Sequence, residues 1–147
     1  MSDNPTRTAA NEETVLGIAV NYGGYLDKLA VLPADAFASV RSMRLREVIL
    51  SLEAPSPESV VAQLDASGEL ERYGGALGVL DALKLESCAL WSDAVAAILT
   101  ALRRRLLLKA SAKIKLLAED RDADEHEMLS GADAGAAPSA PPRASAP

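Results

Sequence analysis

A chain of 147 residues, 49% apolar but only 3% aromatic, has room for one modest domain with an aliphatic core. Much of the apolar share is Ala and Leu, which lose little freedom in a helix, so the core is expected to be helical. The net charge of −6 excludes a whole-chain positive field of the kind that gathers nucleic acid.

Residues 1–10 are polar and predict a loose N-terminus. A globular helical domain is expected over residues 11–87. From Glu12 the pattern is helical, with Val15, Leu16, Ala19 and Val20 on one face. "NYGGYL" ends that helix, because glycine enters the left-handed turn without a steric penalty. A short helix follows with Leu26, Leu29 and Ala30 on its apolar side. Pro33 is placed for a further helical turn. Ser42 to Glu53 predicts a clearer helix through Leu45, Val48, Ile49 and Leu52. Ser56 is a candidate cap, with Pro57 at the first position of the next helix and Val60, Val61 and Leu64 on its core face.

"GELERYGGALGVLDAL" raises a question of chemistry. A phosphate-binding loop needs a preceding strand and a following helix, and "ELERY" is charged and too short for a buried strand. No "GK[ST]" occurs in the chain. Gly68, Gly74 and Gly75 therefore read as hinge residues between short helices. Leu70 and Tyr73 belong to the piece before the hinge, and Leu77, Leu80 and Leu83 to the piece after it.

From Ser87 to Asp120 there is neither Gly nor Pro. One long helix is expected within residues 88–118, from about Leu90 to Leu117. Val95, Leu99, Leu102, Leu106, Ala110 and Leu117 mark its stripe, with Ile114 beside it. Trp91 is expected to anchor its start in the core. Arg103, Arg104, Arg105, Lys109, Lys113 and Lys115 form a cationic block on it. Residues 119–147 begin with an acidic block, Glu119, Asp120, Asp122, Asp124, Glu125 and Glu127, against Arg121 alone. Cations near a helix C-terminus have a macrodipole explanation, but that effect fades within a turn. Three readings follow: a solvated face, an acidic segment folded back as a short hairpin, or a basic stretch that meets an acidic partner. From Gly131 the Gly/Ala/Pro/Ser-rich end predicts a disordered tail.

Chemistry is sparse. His126 has Asp122 four residues before it, but a metal site wants three or four ligands with ordered support. Cys88 is the single cysteine, so an internal disulfide is excluded; it is expected to pack as a small apolar residue. No acid/base pair stands out, and Tyr73 and Trp91 are too far apart for a base-stacking platform. "MSDNPTRTAA" lacks the apolar core of a secretory signal, and no apolar run approaches the roughly 20 residues that span a bilayer. The residues thus predict an all-α cytoplasmic interaction domain, not an enzyme, with no cofactor, no metal and no membrane contact.

The order of pieces resembles the N-terminal domain of DnaB-type replicative DNA helicases over about residues 11–117. Glu12 or Glu13 followed by Val15-Leu16-Gly17 resembles the family's opening helix. Phe37 follows an "L-P-x-D" turn at Leu32, Pro33 and Asp35, and the amphipathic helix through Leu45 to Leu52 comes next. The most specific match, "L-x-x-x-G-x-L-x-x-x-G-G", is met by Leu64, Gly68, Leu70, Gly74 and Gly75. Arg103–Leu106 is similar to the closing Arg-rich helix. The family's ATPase domain has no counterpart in the 147 residues, so the resemblance is to a stand-alone copy.

The resemblance implies a compact orthogonal helical domain of several short helices, then one long C-terminal helix as part of a helical hairpin. It also implies a non-catalytic module of DNA replication. In the family this domain self-associates and docks primase, so the expected partners are a replicative helicase or primase, with a homodimer left open. The candidate partner-binding residues are Leu99, Leu102, Arg103, Arg104, Arg105, Leu106, Lys109 and Lys113. Two alternatives stand beside this: a nucleic-acid-binding accessory protein using the basic helix, and a structural self-associating module without a replication role. Direct nucleic-acid binding is disfavoured by the acidic total.

Overall fold

The computed structural model describes the backbone of residues 5–133 and the side chains of residues 6–126. Among the described residues the chain is all-α, with no strand. Six helices follow one another: α1 (Pro5–Asn21), α2 (Leu26–Val31), α3 (Val40–Ser51), α4 (Pro57–Ala66), α5 (Gly75–Ala82) and α6 (Trp91–Asp133). Short 3-10 turns at Ala34–Ala36, Glu71–Tyr73 and Cys88–Leu90 join them. Two compact units are present, the first ending at Arg105 and the second starting at Leu106. The disordered tail expected from Gly131 lies outside the described residues from 134 onward, while 131–133 close α6.

α1 begins at Pro5 rather than near Glu12, so residues 5–10 are helical instead of loose. Pro is pre-organised for the first helical position, and Ala9 and Ala10 favour the helix. Val15, Leu16, Ala19 and Val20 are all buried, as the periodicity predicts. α2 contributes Leu29, α3 Leu45, Val48 and Ile49, and α4 Val60 and Leu64 to the same core around Phe37. α4 starts with a full capping box. The Ser56 hydroxyl accepts from the Ser59 amide, and the Ser59 hydroxyl accepts from the Ser56 amide, with Pro57 at the first turn.

Glycines punctuate the chain between α4 and α5. Gly68, Gly74 and Gly75 have φ of +76°, +103° and +72°, where an L-residue with a Cβ is strained. Gly74 closes the 3-10 turn at Tyr73, and Gly75 opens α5. Of Leu77, Leu80 and Leu83, which this piece carries, Leu83 is in the core and Leu80 is half-buried. Val79, Ala82 and Leu83 are buried, and Leu77 is 84% exposed.

α1 and α5 meet at a point without side chains. Gly17 is buried in α1, and a Cβ there would stand 2.6 Å from the Lys84 carbonyl oxygen. Asn21, read from sequence as a stop residue, clamps the same junction. Its Nδ2 donates to the Gly17 carbonyl (2.8 Å) and to the Leu83 carbonyl (2.9 Å).

Glu12 is fully buried. Its carboxylate accepts from the Ala38 amide (2.8 Å) and the Ser39 amide (3.2 Å) at the start of α3. A carboxylate suits that place, because amides leading into a helix N-terminus lack intrahelical partners and that end of the helix carries partial positive charge. Glu13 instead pairs with Arg41 at 2.6 Å. Arg44 grips Glu69 through two hydrogen bonds, 2.9 and 2.7 Å, tying α3 to the segment before the glycine corner. Those bonds, with one from Ser67, hold the Glu69 carboxyl below its ordinary pKa.

Candidate interaction surface

α6 crosses from the first unit into the second at Arg105, and its character changes there. In the first unit Ala94, Ile98, Ala101 and Leu102 are buried, a spacing of four, three and one residues that defines one helix face. Trp91, Val95 and Leu99 are half-buried against the core. The Trp91 ring lies 5.0 Å from that of Tyr25, which supports its expected anchoring role.

The candidate partner residues divide accordingly. Leu102 is 8% exposed and belongs to the domain's own core, so it is not a partner contact. Leu99 packs on the same core and is at most a rim residue. Of the predicted stripe, Leu102 lies on the buried face with Ala94, Ile98 and Ala101, and Val95 and Leu99 are half-buried beside it. Alanines carry a weak hydrophobic signal, and close helix packing selects them. Arg105 is committed to the fold. Its Nη2 donates to the carbonyls of Asp35 (2.7 Å) and Ala36 (3.3 Å). Arg104 is half-buried, whereas Arg103, Leu106, Lys109 and Lys113 are exposed.

Every described side chain from Leu106 to His126 is exposed. The apolar residues among them are more numerous than the predicted stripe. Leu107, Leu108, Ile114, Leu116 and Leu117 are 60–68% exposed, beside Leu106 at 48%. The signal was the density of "RLLLK" and "KIKLL", which puts apolar groups on more than one side of the helix. Leu107, Ala110, Ile114 and Leu117 recur at intervals of three, four and three residues, so they share one face.

α6 does not turn back. The acidic block continues the same helix to Asp133, so the fold-back reading is replaced by a single arm. No Pro or Gly interrupts residues 119–130, and Arg121 pairs with Glu125 one turn on (3.7 Å). This continuation also removes the macrodipole explanation for the cations. Residues 103–115 lie well inside the helix, and the C-terminal portion carries the acids.

Little in the first unit suggests chemistry. A cleft of about 270 Å³ opens between α1, the start of α3 and α6. Its two charged groups, Glu12 and Arg105, are both engaged with backbone. Among the described residues no group of three or more His, Cys, Asp and Glu is placed to hold a metal ion. Cys88 is exposed rather than packed, because the 3-10 turn at Cys88–Leu90 buries none of its residues. No described helix is long and apolar enough to cross a membrane. No known family, curated protein or solved structure matches this chain.

Proposed function

We propose that this chain is a non-catalytic protein-interaction module of DNA replication, similar to the helicase N-terminal domain that self-associates and docks primase. It acts as partner, adaptor or competitor of a replicative helicase. One observation carries the interaction part: a helix with a run of exposed leucines and isoleucine from Leu106 to Leu117, flanked by lysines. A continuous apolar stripe edged by charge is what a helix-pair or helix-in-groove contact requires. The replication part rests on the sequence resemblance. Glu12, Gly17 and the Gly68–Gly75 segment, which carry that resemblance, lie at contacts and turns between the short helices.

Affinity capture from the source cell's extract tests the reading, with the helicase and primase identified by mass spectrometry. Retention by the wild-type chain and loss with Leu107→Asp/Ile114→Asp are expected. The nucleic-acid alternative rests on the exposed Arg103, Lys109, Lys113 and Lys115. It predicts single-stranded DNA binding that falls steeply with salt. The acidic half of the same helix and the net charge of −6 oppose it.

A further inference from the structure

From Leu106 to Leu117 the apolar side chains of α6 stand on two sides of the helix, not one. At about 100° per residue, Leu106, Leu107, Ala110, Ile114 and Leu117 gather on one face. Leu108, Ala112 and Leu116, each four residues from the next, gather on the opposite face. Both faces are bare. Leu107 and Ile114 are 68% and 66% exposed on the first, and Leu108 and Leu116 are 64% and 61% exposed on the second. Lys109 and Lys113 fill one gap between the faces, and Ser111 and Lys115 fill the other. A helix that is apolar on all but narrow polar seams is a buried helix in globular proteins. Yet every described side chain from Leu106 to His126 is exposed, so the chain's own described residues do not bury this one.

We infer that α6 is a bridging helix, held over Leu106–Leu117 between two helices that belong to two different proteins. Bridging rests on the interaction role proposed for α6 and selects the adaptor among its forms. Packed helices lie about 8–10 Å apart axis to axis, so helices on opposite faces of α6 stand about 16–20 Å from each other. They do not touch, whereas the arms of a short-looped helical hairpin pack directly together. The two occupants are therefore separate bodies. A two-fold pair of copies covers the same face on each and leaves the other bare, so self-pairing does not satisfy this helix. An anionic lipid surface would take the first face and leave Leu108 and Leu116 in water. Charge defines the occupants' chemistry. Lys113 borders the first face, and Lys109 and Lys115 border the second, with no acid among them. Each occupant is thus a helix with an apolar seam flanked by Asp or Glu. The lysine stems widen either apolar face while their ammonium groups stay at its rim.

The test uses the full chain, tagged, in the source cell. Ile114 in one version and Leu116 in another is replaced by the photo-crosslinker p-benzoylphenylalanine, and the attached proteins are identified by mass spectrometry. A different protein from each position is the expected result. The same single protein from both positions, or a cross-link from only one or neither, would overturn bridging. Affinity capture then compares two variants. Leu107→Asp/Ile114→Asp should lower recovery of the protein attached at Ile114 about tenfold or more and leave the other within about twofold. Leu108→Asp/Leu116→Asp should do the reverse. All four positions are exposed, so the Tm of the first unit should hold in both variants. Loss of both proteins from each variant, with that Tm unchanged, would count against the inference. Two different attached proteins, neither of them helicase or primase, would uphold bridging and sink the replication reading. Helicase or primase attached at Ile114, with nothing at Leu116, would sink bridging and leave the replication reading intact.

Discussion

Gly17→Ala should destabilise the first unit although alanine is the better helix former. The added Cβ would stand 2.6 Å from the Lys84 carbonyl oxygen and 3.6 Å from the Leu83 carbonyl carbon. Both obstacles are backbone, so the segment after α5 must move away from α1. That movement loosens buried Leu83 and the Asn21 bond to its carbonyl. Overpacking of this kind costs about 1–3 kcal/mol. The weakened hydrogen bond adds about 1 kcal/mol. Replacing glycine within a helix returns up to about 1 kcal/mol. The net loss is therefore about 1–3 kcal/mol, or a fall in Tm of roughly 5–20 °C for a domain near 100 residues. Thermal unfolding followed by circular dichroism at 222 nm measures it. Gly23→Ala is the control, since nothing lies within 4 Å of its added Cβ. A Gly17→Ala chain as stable as that control would refute the close approach of α1 to the end of α5.

Glu12→Ala should cost about 2–3 kcal/mol in denaturant titration, because two amides at the start of α3 lose a charged acceptor in a buried place. Ser56→Ala should cost about 1 kcal/mol by the same titration, through loss of the capping box. Leu102→Asp should unfold or strongly destabilise the first unit, whereas Leu107→Asp should leave its Tm within about 1 °C; the contrast separates core from surface on one helix. For Glu69, the folded carboxyl titrates below its unfolded value, chiefly because Arg44 donates to it. Its stabilisation is complete above the ordinary value of 4.5 and is lost as pH falls through the lower folded value. Glu69→Gln should therefore show a shallower loss of stability below that pH than the wild-type chain.

The sequence made the first unit largely legible because its helices obey simple periodicity. Leu45, Val48, Ile49, Val60 and Leu64 are in the core where the spacing put them. Ser56, Pro57 and the three corner glycines signalled their local geometry through backbone chemistry that depends on few neighbours. Two kinds of feature escaped. The inward faces of α5 and α6 include Ala82, Ala94 and Ala101 beside the predicted Leu83 and Leu102, and a pattern that ranks large side chains first passes over such alanines. The two buried polar devices, Glu12 on the α3 amides and Asn21 on the Leu83 carbonyl, join residues far apart in sequence. No local rule predicts such bonds. For the candidate surface, the leucine-rich stretch was visible, but its division at Arg105 was not. That boundary depends on where the first unit stops covering α6, a property of the packed fold.

The proposed function places protein contacts in replication on the exposed apolar face of α6. The most direct measurement captures partners of the tagged full chain and of its Leu107→Asp/Ile114→Asp variant from the source cell's extract. Mass spectrometry then compares the amounts of replicative helicase and primase retained. The account predicts that one or both are held by the wild-type chain and lost from the variant, with the first unit still folded. Retention of neither by the wild-type chain, or equal retention by both chains, would contradict it.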